Sequence, residues 1–497
     1  MSMGAAVTNA DVSAQVDESD RPGSPGAERA PMWSRRASRW LVAITLAGLM
    51  LRLGWLLVAQ PAAVSDALGY KSLAERWVTE GLYERFGEPT AWRSPGYIGF
   101  LGLGIVVSSS ELWLSFLNVL VAATVVPLTA VLARRLGLSS RTALIAAGLA
   151  AVAPPMVLWA PVLGPENLQT PLLLGGLALA ADPSRSRRSA IWCGLVFGLA
   201  VLVRPESLVY LPVVALAALP APFAVVVRRT VVVGLVAAAV CVPWVVRNQV
   251  QVGPVGLSSV GGVNFYLAHR DDGYGFAHYE TTDLAGLDEV EMSRRGYELG
   301  MASLREQPSR LLDDVVSGTQ ELYGPPRYAP YFSSRDFAER APYPLGVRAG
   351  TITAVRTYNL LGWYSIAALA VVGWAALVVR RHRAAAVLTA MVAANWICFT
   401  VVFWALARYR FPIEPMLCIA AAVTLGAFAR LGTPPNGPIA TRIRGDRPES
   451  ESDLMPSGAV TPAPTVAVTP APSVAVTPAP TVAPATDASG SGPASRL

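Results

Sequence analysis

The chain has 497 residues, of which 53% are hydrophobic and only 15% charged, with a mean hydropathy of +0.43. A chain this apolar cannot cover a soluble surface with polar groups, which excludes an ordinary soluble domain. The net charge of +6 rests almost wholly on arginine, with Lys71 the single lysine, and is spread through loops between apolar runs, a pattern of membrane orientation and not of nucleic-acid binding.

Residues 1–39 are polar and mixed in charge and read as a disordered cytoplasmic N-terminus. The run Leu41–Ala59 is long enough to span a bilayer and reads as an uncleaved signal anchor. With 40–60 as the first span, further spans are expected at 112–133, 141–160, 166–181, 189–203, 207–227, 230–246, 359–379, 384–405 and 411–429. Backbone groups in lipid must pair within their own segment, so each should be a helix. The expected fold is an all-α polytopic membrane protein of about ten transmembrane helices. Arg35, Arg36 and Arg39, then Arg134/Arg135/Arg141, Arg185/Arg187/Arg188, Arg228/Arg229 and Arg380/Arg381/Arg383, mark the cytoplasmic turns, with both termini inside. Arg52, near the outer end of the first span, reads as a snorkelling side chain. Cys193, Cys241, Cys398 and Cys418 lie in apolar runs and read as packing residues, and His269, His278 and His382 are too dispersed for a metal site.

This topology places residues 61–111 outside, as the first outer loop of a membrane module at 40–246. In it, 67–79 carries Tyr70, Leu73, Ala74, Trp77 and Val78 at helical spacing, with Ser65 or Asp66 as N-cap and Gly81 as a stop: a juxtamembrane helix on the membrane surface. Residues 97–107 are apolar but too short to cross and predict a second juxtamembrane or re-entrant helix. Segment 247–358 should be a small extracytoplasmic subdomain with a helix over 288–305, followed by the C-terminal membrane helices at 359–430. Residues 431–497 are rich in Thr, Pro and Ala, and Ala459–Val466 recurs almost unchanged at 467–474 and 475–482, an extended tether on the cytoplasmic side.

Five outward patches combine charge with turn residues: Asp66 with Arg93 in Trp92-Arg93-Ser94-Pro95-Gly96-Tyr97; Pro165-Glu166-Asn167; Val203-Arg204-Pro205-Glu206; Pro243-Trp244 with Arg247-Asn248; and Arg408-Tyr409-Arg410-Phe411-Pro412. Taken singly, Asp66 is a helix cap and each arginine a snorkelling anchor. Five charged patches at one membrane face suggest a shared anionic ligand, because charge at membrane depth is costly.

With Gly262-Val263-Asn264-Phe265-Tyr266, these motifs resemble the C-type glycosyltransferases that use polyprenyl-phosphate sugars, the bacterial branch related to protein O-mannosyltransferases and aminoarabinose transferases, over residues 40–430. The resemblance implies a plasma-membrane enzyme with an outward-facing site, moving a sugar from a polyprenyl-phosphate donor to an acceptor hydroxyl with inversion, the acceptor being a glycan, a lipid or a protein. Asp66 is then the catalytic carboxylate and Glu166 its partner. Arg93, Arg204, Arg247 and Arg408 grip the donor phosphate, and Tyr97, Asn264, Tyr266 and Tyr409 contact substrate. Ala67 stands where many relatives carry a second acid, so a divalent metal has weak support and no cofactor is assigned. The alternative, a transporter or flippase, would show an internal repeat with broken spans at matching positions, and the sequence has neither. A membrane assembly protein working through its Thr-Pro tail is a third reading.

Overall fold

The computed structural model describes residues 32–270, 283–324 and 349–431, except 60, 62, 64, 65 and 185. The leader before 32, Ser65 and the Thr-Pro tail, with what was expected of them, lie outside the described residues. Apolar runs cut by Pro, Gly and arginine turns fold into helices: α1 (Arg35–Ala59), α2 (Asp66–Glu80), α3 (Pro95–Ile105), α4 (Glu111–Ala123), α5 (Val125–Arg135), α6 (Ser140–Val152), α7 (Pro154–Leu158), α8 (Glu166–Ala180), α9 (Arg187–Val203), α10 (Leu211–Ala217), α11 (Phe223–Gln251), α12 (Gly261–Ala268), α13 (Glu289–Glu306) and α14 (Arg310–Tyr323). Three more close the chain, Ala349–Val379, Arg383–Ile397 and Glu414–Leu431. The strands among the described residues are one hairpin, β1 (Glu84–Arg85) with β2 (Glu88–Pro89), turned by Phe86 and Gly87 at positive φ.

The protein is thus an all-α polytopic membrane protein. Each of the ten expected spans contains helix, but six helices among the described residues are long and apolar enough to cross a bilayer by themselves. The other four fall short for visible reasons. Pro154 and Pro155 break 141–160 into α6 and α7, since proline cannot continue the hydrogen-bond ladder. The α8 and α9 helices have 15 and 17 residues, below the roughly 20 needed to span. The 207–227 stretch stops at Ala217, ahead of Pro220 and Pro222.

Small residues let the helices approach closely, as expected where lipid supplies no hydrophobic drive between them. A Cβ on Gly194 or Gly198 of α9 would stand 2.7 Å or 2.9 Å from Val236 or Val240 of α11, and one on Gly373 would meet the Ala420 carbonyl oxygen. Arg52 corrects the snorkelling expectation. It is fully buried, and its guanidinium donates to the carbonyls of Gly48, Ala150 and Ala151 at 2.9–3.0 Å, capping α6 where the prolines end it. Each carbonyl left unpaired in such a place would cost about 1–3 kcal/mol.

The turns of α5–α6, α8–α9 and α10–α11 gather at one end of the bundle. There Arg135 donates to the Ala178 carbonyl, Arg229 to Ser189, and Arg383 to the carbonyls of Leu136 and Leu219. Asp66, Glu166 and Arg204 lie at the opposite ends of the same helices or beside them. The arginine count predicts that this second end faces out. Glu88→Cys should be labelled by an impermeant thiol reagent on intact cells and Arg380→Cys only after permeabilisation; the four native cysteines are buried and give little background. The reverse labelling pattern would invert the orientation.

Candidate active site

The segment 61–111 is built to hold Arg93. Tyr83 of the hairpin approach donates to the Arg93 carbonyl at 2.7 Å, and Ser94-Pro95 opens α3 with proline at the first position, where its missing N–H costs nothing. Gly96 brings α3 against the end of α9: a Cβ there would stand 2.6 Å from the Leu202 carbonyl carbon and the Val203 nitrogen. The Arg93 turn is thereby seated on Val203-Arg204, and two short motifs distant in sequence become one surface.

A cavity of about 250 Å³ opens on this surface, lined by Asp66, Tyr70, Arg93, Glu166, Arg204, Glu206, Arg408 and Tyr409, with Arg85, Trp92, Asn264 and Trp404 also on its lining. Asp66 lies in the first turn of α2, its side chain 31% exposed. One carboxylate oxygen is 2.5 Å from Arg93 Nη2 and the other 2.5 Å from Arg408 Nη2. Burial alone would raise the Asp66 carboxyl, but the Arg408 and Arg93 guanidiniums outweigh it and hold the group well below the usual carboxylate range. Glu166, buried at the start of α8, receives Arg204 Nη1 at 2.6 Å, and Arg204 reaches Glu206 at 3.5 Å. Arg408 Nε lies 3.8 Å from the same Glu166 oxygen, which joins the two ion pairs into one network. Arg93 lies over the ring of Tyr70, and Arg204 and Arg408 over that of Tyr409.

Of the expected site residues, Asp66, Arg93, Glu166, Arg204, Asn264, Arg408 and Tyr409 line this one cavity, and Arg247, Tyr97 and Tyr266 do not. Arg247 donates to the carbonyls of Thr90 at 2.6 Å and Tyr83 at 3.0 Å and lies over Trp244, so its fork is turned onto the hairpin. Tyr97 is fully buried one layer behind, edge-on to Tyr70, with its hydroxyl 3.2 Å from Asn118. Tyr266 packs in the apolar cluster of Trp92, Val263, Leu267 and Leu284, with Arg270 over its ring.

Helices α12 and α13 brace the hairpin beside the cavity. Asp288 caps α13, accepting from the Glu291 N–H at 2.8 Å. The next residue, Glu289, accepts from Thr90 Oγ1, from the Ala91 N–H at 2.9 Å and from Ser259 Oγ at 2.9 Å, fixing the hairpin exit. Gly262 and Gly296 bring α12 and α13 to backbone contact, which accounts for the glycine of the Gly262–Tyr266 motif. Sequence reasoning missed Arg85 and Glu289. Glu289 stands in the acidic first turn of a recognised helix, but nothing in the sequence pairs it with Thr90.

Among the described residues no group of three His, Cys, Asp or Glu side chains is placed to hold a metal ion. The arrangement does not fit a divalent ion at Asp66, since both carboxylate oxygens face guanidinium groups.

Gly96→Ala tests the seating of Arg93 on Arg204. The added methyl meets backbone, which cannot rotate away, and overpacking of this kind costs about 1–3 kcal/mol. The purified variant should melt at lower temperature than wild type, and an unchanged Tm would contradict the close approach of α3 and α9.

No protein-family model matches the chain, and no curated protein matches its sequence. Among solved structures it is similar to the Archaeoglobus fulgidus oligosaccharyltransferase in its apo form, at 15% identity and TM-score 0.49 over 81% of this chain and 52% of that one. It is similar also to the oligosaccharyltransferase AglB of the same organism in complex with an inhibitory peptide and a dolichol-phosphate, at 14% identity and TM-score 0.48 over 80% and 51%. A third likeness is to ArnT from Cupriavidus metallidurans in the apo state, at 15% identity and TM-score 0.38 over 79% and 78%. The chain spans about half the length of the two archaeal structures.

Proposed function

We propose that the protein is a membrane glycosyltransferase that moves a sugar from a polyprenyl phosphate to an acceptor hydroxyl on the outer face of the plasma membrane, with inversion. The observation that carries this reading is Asp66 held between Arg93 and Arg408 in a cavity shared with the Arg204–Glu166 pair. Transfer requires a base for the acceptor hydroxyl and cations for the departing phosphate, and both are within one cavity at one end of the helices.

Paired with both arginines, Asp66 is neutralised and is a poor base. A donor phosphate entering the cavity competes for the same guanidiniums, whose planar forks suit phosphate oxygens as well as carboxylate. As Arg93 and Arg408 move to the phosphate, Asp66 loses its counter-charges, its carboxyl rises, and it takes the hydroxyl proton. The acceptor oxygen then bonds the anomeric carbon as the carbon–oxygen bond to phosphate breaks, and the electron pair leaves with the polyprenyl phosphate into the arginine cluster. Glu166 keeps Arg204 oriented, and Arg247 acts through the hairpin, outside the phosphate clamp.

Asp66→Asn keeps the size of the side chain while removing the base, and a general base contributes about 10²- to 10⁴-fold. The purified variant should fold and transfer sugar from a polyprenyl-phosphate donor at least about a hundredfold more slowly; transfer within a few-fold of wild type would move the base elsewhere. The exchange of arginines also makes a pH prediction. The acid limb of kcat/KM reports the free enzyme and should lie below the ordinary aspartate value of about 3.9, whereas that of kcat reports the loaded enzyme and should lie higher. Coincident limbs would mean that the donor leaves the Asp66 pairs in place.

A further inference from the structure

The charges on the cavity lining do not balance. Four arginines, Arg85, Arg93, Arg204 and Arg408, face three carboxylates, Asp66, Glu166 and Glu206. Arg93 and Arg408 share Asp66, and Arg204 holds Glu166 and Glu206. Arg85 has no carboxylate partner among the described residues. Even Glu88, opposite it in the hairpin register, is not paired with it. Its guanidinium lies instead 4.4 Å from the centroid of Trp92 and 4.7 Å from that of Phe86.

Arg85 is held in place without being neutralised. Glu84 beside it is bridged by Arg76 at 3.2 Å, Arg247 binds the carbonyls of Tyr83 and Thr90, and Glu289 fixes the Thr90-Ala91 exit. The lining around it is apolar, made by Trp92, Val263, Leu267 and Trp404. From the same lining the carboxamide of Asn264 on α12 makes no hydrogen bond to protein among the described residues. A cation whose protein contacts are two aromatic rings, and an amide without a hydrogen bond, both among the described residues on the lining of one cavity, are polar groups that the Asp66 network does not use. The hairpin tip beyond Arg85 is uncovered by the described residues, with Phe86 89% exposed.

We propose that Arg85, with Asn264, binds an oxyanion on the acceptor, so that the acceptor is an anionic glycan bearing a carboxylate or a phosphate. This deepens the sugar-transfer reading and rests on it for the word acceptor. The recognition itself is a matter of binding and needs no turnover. Arg85 supplies a two-pronged cation to the anion, and Asn264 a donor and an acceptor to a neighbouring hydroxyl.

The full chain in lipid nanodiscs is titrated with glucose 6-phosphate, glucuronate and glucose, read by saturation-transfer NMR, and separately with a polyprenyl phosphate. Wild type should bind both anionic sugars at least tenfold more tightly than glucose. Arg85→Gln should abolish that difference while polyprenyl-phosphate affinity stays within about twofold, and Arg85→Lys should restore part of it. Equal binding of charged and neutral sugars by wild type, or a preference that survives Arg85→Gln, would overturn the proposal and leave Arg85 as a solvated cation on Trp92. A tenfold or larger loss of polyprenyl-phosphate affinity in Arg85→Gln would overturn it differently, assigning Arg85 to the donor. These outcomes are separate from those of the transfer assay, because a wild-type protein that transfers no sugar yet still discriminates the charged sugars would refute the transfer reading and keep the anion site.

Discussion

Two carboxylates, Asp66 and Glu166, hold the arginines at one end of the helices together. Arg93 leaves the hairpin, Arg408 opens the last membrane helix, and Arg204 ends α9, so three cations from distant parts of the chain converge on a single cavity. At an effective dielectric near 20, two unit charges about 4 Å apart repel by roughly 4 kcal/mol, enough to scatter such a cluster. Asp66 answers two of the guanidiniums at 2.5 Å, and Glu166 answers the third and lies 3.8 Å from Arg408. The segment 61–111 is thereby joined through Arg408 to Glu166 and Arg204 by the groups proposed to do the chemistry. Stability and function draw on the same contacts, because an anion that takes the arginines must also hold the loop that Asp66 held before.

The neighbouring arginines show how local geometry divides the work. In Arg408-Tyr409-Arg410, Arg408 faces the cavity. Arg410, two residues on, is fully buried, paired with Glu414 at 2.7 Å and donating to the carbonyls of Leu322 and Gly324, where it caps the end of α14. The last membrane helix is thus anchored to the outer helices at the point where it presents Arg408. His269, between Asp314 Oδ2 at 2.9 Å and the Val401 carbonyl at 3.1 Å, makes a second such tie from α12 to α14 and the end of the preceding membrane helix. These buried contacts fix the register of the cavity lining without entering it.

Hydropathy and helical spacing made the helices legible: α2 covers the expected 67–79 and α13 lies within one residue of the expected 288–305, because both signals are local. The convergence of Asp66, Arg93, Glu166, Arg204 and Arg408 was legible because arginine turns assigned all five to one face. Roles that depend on where a side chain points were not. Arg247 has the same composition signal as Arg204, yet its fork is taken by two carbonyls of the hairpin. Arg52 is charged within a span, and only the broken end of α6, which leaves carbonyls to be capped, explains why it is buried and does not snorkel. Arg85 stands in a two-residue strand with no periodic signal, and its lack of a carboxylate partner is a property of the folded cavity that no spacing encodes.

The central claim is that the donor phosphate displaces Asp66 from its arginines. It is tested most directly by an experimental structure of the protein with a polyprenyl phosphate bound. The account predicts that the phosphate oxygens lie within hydrogen-bond distance of Arg93 and Arg408, with the Asp66 carboxylate released from both and facing the open part of the cavity. A bound phosphate that leaves both Asp66 ion pairs intact, or that lies outside this cavity, would contradict it.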